Sequence, residues 1–414
     1  MNMPNPFRLS SMWVFHVADP DDPQVVGRVS LVPATKRLSF QYERSWVDGG
    51  FQLSPDMPLV ADRLLLPEPG QALPGALDDA MPDRWGQNMI RAVDRPPRST
   101  PLDLIYLAGD RRFGALGVSP VPDSYQPYME GPLLAVGSLD EANEVIQRVL
   151  AKQPLNERER NLLRSSKNMG GAHPKMLVQL DGQEWLAKFP KGDPVDLPLV
   201  EHATMRLAQE VGIRTPESRA LRILTGHVVL TKRFDREGAR RIHALSAKTM
   251  MLDAGAETYA AMADVIRARG ASQDQRHQRA ELFRRMVFNM LMDNTDDHSK
   301  NHAFLRRDDG NYDLSPAYDL LPQMNGTGEQ AIPVSRTSMG EAFADAVSAS
   351  ASFGLSEDGA VQVWREVVAG VSRWKEVFSS EGVTGGDIDY LSDFLDSDDK
   401  MEMRDSANWR TPKR

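Results

Sequence analysis

Short apolar runs in the first third of the chain predict β-strands. β-Branched and aromatic residues cluster between Asp, Pro and Gly at residues 13–15, 25–27 and 38–42. Pro and Gly then become frequent at 55–75, 96–101 and 123–132. Such residues favour turns and linkers, so we predict a domain boundary in the last of these stretches.

The middle of the chain predicts a hairpin followed by a helix. Residues 176–180 and 183–188 flank Asp181-Gly182, a dipeptide typical of two-residue hairpin turns. From Pro198, apolar residues recur at helical spacing, and Gly212 stands where the helix should end. Residues 227–231 predict a further strand.

Beyond about residue 247 the periodicity is mainly helical. One wide apolar stripe runs through residues 282–291 and another through residues 364–378. The polar tail at 396–414 predicts only partial order. The pattern therefore predicts a strand-bearing first part, a mixed middle and a helical last part.

Composition removes several classes of function. The 414 residues contain no Cys, which excludes disulfides, thiolate metal sites and a Cys nucleophile. The formal charge of −9 argues against direct DNA binding, which needs clustered Lys and Arg, so a nucleic-acid role should pass through a partner. No apolar run approaches the roughly 20 residues that span a bilayer, and the first residues lack a signal-peptide pattern. We therefore expect a cytoplasmic protein.

The first candidate for chemistry is residues 168–175, a loop with two glycines that leads into the hairpin. Glycines let backbone N–H groups approach an anion closely. Counting back from the turn places Lys175 opposite Lys188, where like charges repel unless an anion such as a nucleotide phosphate lies between them. The alternatives are a plain turn, or two lysines that point to solvent after a register shift.

The second candidate is residues 293–302, which follow a long apolar helix and contain three acids, two Asn, a Lys and two His. Crowded carboxylates repel one another, so cations should lie nearby. The alternatives are a solvated helix end and a metal pair formed by His298 and His302. A third candidate is Asp319, which follows a second predicted hairpin and could be a magnesium ligand or a surface residue.

Together these features fit phosphoryl transfer. That chemistry needs a glycine loop, a strand Lys, a base, and an Asn and an Asp on Mg²⁺. Protein kinases place the Asn five residues after the base, the same separation as Asp296 and Asn301. The order of the other elements also matches, with Glu201 on the helix after Lys188.

Residues 294–301 (NTDDHSKN) and 315–319 (SPAYD) make the chain resemble the HipA family of serine/threonine-protein kinase toxins of bacterial type II toxin–antitoxin modules. Residues 81–86 (MPDRWG) and 109–117 (GDRRFGALG) look like that family's N-terminal module. Weaker matches are residues 171–175, 187–190 and 233–236.

The resemblance implies an α+β, protein-kinase-like two-lobed fold, with an N-terminal β-rich subdomain and a mostly α-helical C-terminal lobe. We expect three parts. These are residues 1–125 (N-terminal subdomain), 126–237 (a part like the kinase N-lobe) and 238–414 (helical C-lobe with the catalytic loop).

The resemblance also implies roles for single residues. Asp296 would be the catalytic base, and Asn301 and Asp319 would hold Mg²⁺. Lys188 would contact the α- and β-phosphates of ATP, with Glu201 as an ion-pair partner. The residues around the nucleotide would be Gly170, Gly171, Ala172, His173, Pro174, Lys175, Lys188, Lys232, Arg233, Phe234, His298, Ser299, Lys300, Asn301, Tyr318 and Asp319.

The implied partners are a HipB-like helix-turn-helix antitoxin, operator DNA through that antitoxin, and a translation-factor substrate, especially an aminoacyl-tRNA synthetase. Two residues depart from the family pattern. Asn168 stands where a self-phosphorylated serine is expected, with Ser165 and Ser166 just upstream, and Lys232 stands where a relative has an acid. The competing functions are a metal-dependent hydrolase and an inactive kinase-like co-repressor.

Overall fold

The computed structural model describes residues 5–167, 171, 173–325 and 330–406. The chain forms two compact units. The first unit comprises Met1–Lys191 and Arg222–Leu245, and the second comprises Gly192–Leu221 and Ser246–Arg414. The predicted boundary at 123–132 falls inside the first unit, and the division into three parts stays a prediction.

The first unit opens with an antiparallel sheet in the order β3-β2-β1-β4. Its strands are β1 (Ser11–His16), β2 (Gln24–Val32), β3 (Arg37–Tyr42) and β4 (Leu116–Ser119). The three predicted strands are confirmed as β1, β2 and β3. The helices between β3 and β4 are α1 (Arg44–Gly49), α2 (Gly75–Asp79), α3 (Arg84–Val93) and α4 (Pro101–Leu107).

A second sheet of the first unit carries the predicted hairpin. In spatial order it contains β5 (Leu134–Ala135), β6 (Lys175–Leu180), β7 (Gln183–Lys188), β9 (Gly226–Lys232) and β8 (Ser218–Ile223). Asp181 and Gly182 both have positive φ, which a type I′ turn requires, and Lys175 pairs with Lys188 as predicted. The remaining helices and strands here are α5 (Leu139–Leu150), α6 (Glu157–Leu162), β10 (Arg236–Glu237) and β11 (Arg240–Arg241).

Two strands cross from one unit to the other along the chain. They are β8 (Ser218–Ile223) and β12 (Ala244–Ser246). The second unit begins with α7 (Leu197–Glu210), which has a proline in its first turn as predicted. Gly212 follows with φ of +79°, a left-handed conformation that ends helices and that glycine adopts without strain.

The rest of the second unit is mainly helical, as predicted. It contains α8 (Ala247–Met250), α9 (Tyr259–Arg269), α10 (Gln275–Leu291), β13 (Ala303–Arg306), β14 (Tyr312–Leu314), α11 (Ala342–Ser348), α12 (Glu357–Val371), α13 (Trp374–Ser380), α14 (Gly385–Leu395) and α15 (Asp398–Asp405). None of the helices in the described part of the chain combines the length and apolar character needed to cross a bilayer.

The core of the second unit forms around α10, whose predicted apolar stripe is buried throughout. The second predicted stripe is divided, because α12 ends at Val371 and α13 begins at Trp374. Within the polar tail, α15 buries Lys400 and Arg404. Residues 407–414 lie outside the described part of the chain.

Candidate functional site

The β6–β7 hairpin brings two lysines of the candidate site together. Lys175 and Lys188 are directly paired, with only 5% and 9% of their surfaces exposed. Side chains at opposed positions of antiparallel strands have Cβ atoms about 4.5–5.5 Å apart. The alternative of a register shift with both lysines in solvent is therefore wrong. Two positive charges lie at the end of the hairpin that receives the glycine loop.

Gly171 is the described glycine of that loop, and its φ of +96° is readily adopted only by glycine. A Cβ atom at this position would come within 2.5 Å of Lys175 Nζ, so the lysine ammonium group lies against the Gly171 backbone. The carbonyl of Pro174 accepts a hydrogen bond from Phe189 N at 2.9 Å, which continues the hairpin towards the loop, and His173 is half-buried beside it. Gly170 and Ala172 lie outside the described residues.

The predicted adenine segment, residues 232–234, continues from the end of β9. Lys232 is half-buried and pairs with Trp185 of β7. The buried Arg233 side chain binds Asp235 and donates to the carbonyls of Arg111 and Arg112 at 2.7 and 2.8 Å. These contacts occupy the Arg233 guanidinium, so a contact of Arg233 with adenine would use its backbone.

Phe234 packs edge-to-face against Phe113, with ring centroids 6.1 Å apart. The neighbouring Asp235 carboxylate accepts hydrogen bonds from Arg233, Arg236 and the backbone N–H of Gly114. Burial alone would raise the pKa of Asp235, but the two guanidinium groups hold it below its ordinary value. Residues 109–117 and 233–236 are thus joined by a buried ion network.

In the second unit, the 293–302 loop starts at the end of α10 and is fixed there by the tail. Asp293 has φ of +53°, and its Oδ1 forms a salt bridge with Lys400 Nζ at 2.8 Å. Lys400 Nζ also donates to the carbonyl of Met290 at 2.9 Å. Both charged side chains are buried, so α15 supplies one of the cations that the crowded acids were predicted to need.

A second set of hydrogen bonds holds the middle of the loop. The Asp297 carboxylate accepts from the Tyr259 hydroxyl and lies 2.9 Å from His302 Nε2. Asn289 of α10 donates to the Tyr259 oxygen at 3.0 Å and accepts from Asn294 at 3.1 Å. Burial and the nearby Asp297 raise the pKa of Tyr259, which keeps its hydroxyl protonated as a donor.

Asp296 lies between these anchored residues and has an exposed side chain. Its backbone carbonyl accepts from His298 N at 2.9 Å and from the Asn301 side-chain amide at 3.3 Å. Ser299 donates to Glu257, and Tyr318 donates to the carbonyl of Lys300 at 2.8 Å. The loop therefore presents one exposed carboxylate on a backbone that is held on both sides.

Asp319 follows the β13–β14 hairpin and is half-buried with φ of +59°. The segment before it is anchored by Arg285, which donates to the carbonyl of Ser315 at 2.7 Å, and by Arg214, whose carbonyl accepts from Ala317 N at 2.7 Å. Asp319 and Asn301 offer carboxylate and amide oxygens. These hard ligands suit Mg²⁺, so the donor set fits that metal.

The sequence left open that His298 and His302 bind a metal ion together, but the two side chains have different surroundings. His302 is buried, with Nε2 directed at Asp297, while His298 is exposed. Among the described residues, no group of three or more His, Asp or Glu side chains is arranged to hold a metal ion. The geometry therefore gives no support to the hydrolase hypothesis.

Three further residues that the sequence pointed to are buried in the structure. Glu201 on α7 is only 4% exposed, so it is a buried residue of the helix and not a solvated one. Ser165 and Ser166 are also buried, and Ser166 Oγ donates to the carbonyl of Leu163. Neither hydroxyl is accessible to a kinase in this conformation. Asn168 lies outside the described residues.

Sequence reasoning did not find the residues that support the loop. Asn289 gives a weak signal, because it is a polar residue on a buried helix. Tyr259 and Glu257 lie about 40 residues before the loop, and Lys400 lies about 100 residues after it. Lys400 stands in the polar tail, for which the composition predicts only partial order, so no local pattern identifies it.

Comparison with protein families assigns the chain. The model of the HipA-like C-terminal domain matches residues 168–374, half of the chain, and the model of the HipA N-terminal domain matches residues 22–119. The fold is mixed α+β with a β-rich N-terminal part and a helical C-terminal region. The chain belongs to the HipA family, as the sequence motifs predicted.

The chain is also similar to an individual curated protein. The putative kinase Y4dM of Sinorhizobium fredii (strain NBRC 101917 / NGR234) is 30% identical over 224 residues, which are 48% of this chain and 53% of that protein. The chain thus spans about half the length of this curated relative.

Among solved structures, the HipA of Shewanella oneidensis MR-1, in a complex with HipB and operator DNA, has the same fold. The TM-score is 0.65 at 16% identity, and the match covers 95% of this chain and 97% of that one. The Helicobacter pylori proinflammatory kinase CtkA gives a TM-score of 0.39 at 14% identity over 59% of this chain and 95% of its own, too low a similarity to bear on the fold.

Proposed function

We propose that the protein is an ATP-dependent serine/threonine-protein kinase. The observation that carries the proposal is the 293–302 loop. Of its three carboxylates, Asp293 and Asp297 are buried with partners and Asp296 alone is exposed. Two further observations support the same activity. The Sinorhizobium relative is named as a putative kinase, and the motifs of this chain follow each other in the order found in kinases.

In the proposed reaction, Asp296 accepts the proton of a substrate hydroxyl. The hydroxyl oxygen forms a bond to the γ-phosphorus while the bond between that phosphorus and the β,γ-bridging oxygen breaks, and ADP leaves. An exposed carboxylate on a fixed backbone suits this role, because general bases act within hydrogen-bond reach of the proton. The anchored neighbours reduce the reorganisation needed at the reacting step.

The first unit supplies phosphate contacts in this proposal. Lys188 and Lys175 provide positive charge, and residues 170–175 are proposed to cover the phosphates. The backbone of residues 232–234 lies along the adenine. Glu201 is proposed as the ion-pair partner of Lys188.

The second unit supplies the remaining nucleotide and metal contacts. Asn301 and Asp319 would hold Mg²⁺, which when bound neutralises negative charge on the phosphates. The Asn301 amide N–H donates to the carbonyl of Asp296, which leaves its side-chain oxygen for a cation. His298, Ser299, Lys300 and Tyr318 are proposed to complete the nucleotide site.

Replacing Asp296 with Asn tests the proposal. Removal of the base should lower the rate of γ-phosphate transfer by on the order of 10²–10⁴. Thermal stability should be unchanged, because the Asp296 side chain is exposed. Asp389→Asn, at an exposed position of α14, is the matched control. Transfer by Asp296→Asn at the wild-type rate would refute the proposal, and ATP binding without turnover by the wild type would favour the inactive co-repressor.

We further propose that the kinase is the toxin of a type II toxin–antitoxin module. Its partner would be a HipB-like helix-turn-helix antitoxin, by analogy with the complex of the Shewanella relative. Its substrate would be a translation factor such as an aminoacyl-tRNA synthetase. Phosphoproteomics after brief expression of the wild type beside Asp296→Asn should identify sites that only the wild type modifies.

A further inference from the structure

The 81–86 motif was recognised in the sequence without a role. In the structure it forms the start of α3, and α3 lies beside the ends of the glycine loop. Contacts from α3 and its two flanking aspartates reach the described residues Lys167, Gly171 and Lys175, all within the first unit. α3 and the aspartates beside it therefore contact the stretch from Lys167 to Lys175, which we name the loop segment, at three described residues.

The backbone N–H and the backbone carbonyl of Gly171 both form hydrogen bonds with the start of α3. Its N–H donates to the Asp83 carboxylate at 2.8 Å, and its carbonyl accepts from Trp85 N at 3.3 Å. Asp83 is the N-cap residue of α3, and Trp85 is in the first turn, where helix N–H groups lack intrahelical partners. The buried Trp85 also donates from its indole N–H to the carbonyl of Lys175 at 2.8 Å.

The other end of the segment is held at Lys167, whose side chain is fully buried. Its ammonium group lies 2.9 Å from Asp94 Oδ2 and 4.6 Å from the centre of the Tyr128 ring. The Tyr128 hydroxyl donates to the same Asp94 carboxylate at 2.9 Å. Asp94 follows the last residue of α3, so the two ends of this helix hold two different points of the segment.

Gly86 shows how close this packing is. A Cβ atom at residue 86 would lie 2.4 Å from the carbonyl oxygen of Lys167, a distance that real side chains do not adopt. Glycine is therefore required at position 86 by the approach of the loop segment. The N-terminal module therefore packs directly against the backbone of Lys167, the residue that precedes the glycine loop.

We infer that Asp83, Trp85, Gly86 and Asp94, which we name the α3 clamp, are positioning residues that set the affinity of the glycine loop for ATP. The inference rests on the proposed kinase function. Because Gly171 and Lys175 are already held by α3, these residues lose less conformational entropy when ATP binds, so the clamp lowers the KM for ATP without touching the transferred group. The N-terminal module thus becomes part of the nucleotide-binding apparatus.

The test compares Asp83→Ala with Asp83→Asn. Loss of the acceptor for Gly171 N–H should raise the KM for ATP about tenfold, with kcat changed by less than about twofold. Asn should restore the wild-type KM, because its amide oxygen can accept the same hydrogen bond. Asp48→Ala, at an exposed position of α1, is the control.

Hydrogen exchange of the nucleotide-free proteins provides a second readout that does not depend on catalysis. The backbone amides of Gly171, His173 and Lys175 should exchange faster in Asp83→Ala than in the wild type or Asp83→Asn. If Asp83→Ala does not fold, Trp85→Phe provides a second variant. It keeps an aromatic side chain, although a smaller one, and removes the indole N–H that binds the carbonyl of Lys175, so it should also raise the KM for ATP.

Three outcomes would overturn the inference. The first is an unchanged KM and unchanged exchange in Asp83→Ala. The second is a fall in KM in both Asp83 variants, which would show that the carboxylate competes with phosphate for Gly171 N–H. The third is a fall in kcat without a change in KM. Failure of the proposed function is distinct, because the wild type itself would then neither bind nor turn over ATP.

Discussion

Asp296 and Asp297 are adjacent aspartates with opposite surroundings. Asp297 is buried between Tyr259 and His302, and Asp296 is exposed. A buried carboxylate with two hydrogen-bond partners is suited to fixing a loop, whereas an exposed one can accept a proton from a second molecule. Residue type alone does not separate these two roles, because the separation comes from what lies beside each side chain.

The left-handed backbone of Asp319 leads to a specific prediction. Asp and Asn tolerate this conformation better than most residues, so Asp319→Asn should leave the melting temperature within about 2 °C of wild type. The weaker oxygen donor should raise the Mg²⁺ concentration needed for half-maximal phosphoryl transfer by about tenfold or more. A magnesium titration of activity measures this shift.

Asp319→Ala serves as the comparison in that experiment, because it removes the donor and also strains the backbone. It should lose both activity and stability. An Asp319→Asn protein with the magnesium dependence of the wild type would contradict the assignment of Asp319 as a metal ligand.

At the scale of elements, short helices brace the loops that carry the candidate chemistry. α15 places Lys400 under the start of the 293–302 loop, and α3 holds the ends of the glycine-loop segment. Residues 109–117 and 233–236 are joined by the Arg233–Asp235–Arg236 network. These braces act through buried hydrogen bonds and ion pairs. Removing only one partner of a buried ion pair strongly destabilises the protein, because the other charge stays buried without its partner.

The Arg233–Asp235–Arg236 network predicts a pH-dependent loss of stability. Asp235→Asn leaves two guanidinium groups without their shared buried carboxylate and should destabilise the first unit by about 3–5 kcal/mol at neutral pH. The guanidinium groups hold the pKa of Asp235 below its ordinary value of 3.8, so its stabilising effect is complete above pH 3.8 and declines as the pH falls further.

Denaturant unfolding at several pH values measures this effect. The difference in free energy of unfolding between wild type and Asp235→Asn should be constant at neutral pH and shrink as the wild-type carboxylate becomes protonated. The exposed Asp48→Asn should show little difference at any pH. A gap that widens in acid would show that the carboxylate is not stabilised by its neighbours.

At the scale of the whole molecule, the net charge of −9 bears on the proposed operator binding. Phosphate contacts need clustered positive charge, so at about 0.15 M salt the isolated chain should bind DNA no more tightly than about 1 μM. Addition of a helix-turn-helix antitoxin should produce a specific complex in a mobility-shift assay. Tight operator binding by this chain alone would contradict indirect recognition.

The sequence predicted those features that depend on neighbours along the chain. The register that pairs Lys175 with Lys188 follows from the Asp181-Gly182 turn and the two-residue period of strands. The apolar stripe of α10 follows from helical periodicity, and the HipA family assignment follows from contiguous motifs. The candidate roles of Asp296, Asn301 and Asp319 are implied by the resemblance to the family together with the spacing of the motifs, and they stay predictions.

Only the tertiary structure decided which residues support these loops. Asp83 meets Gly171 across 88 residues, and Lys400 meets the carbonyl of Met290 across 110. Such contacts have no local signature, because a buried charge is stabilised by whichever partner the fold brings to it. The composition of the tail predicted only partial order, whereas α15 is held in place by partners that are distant in the chain.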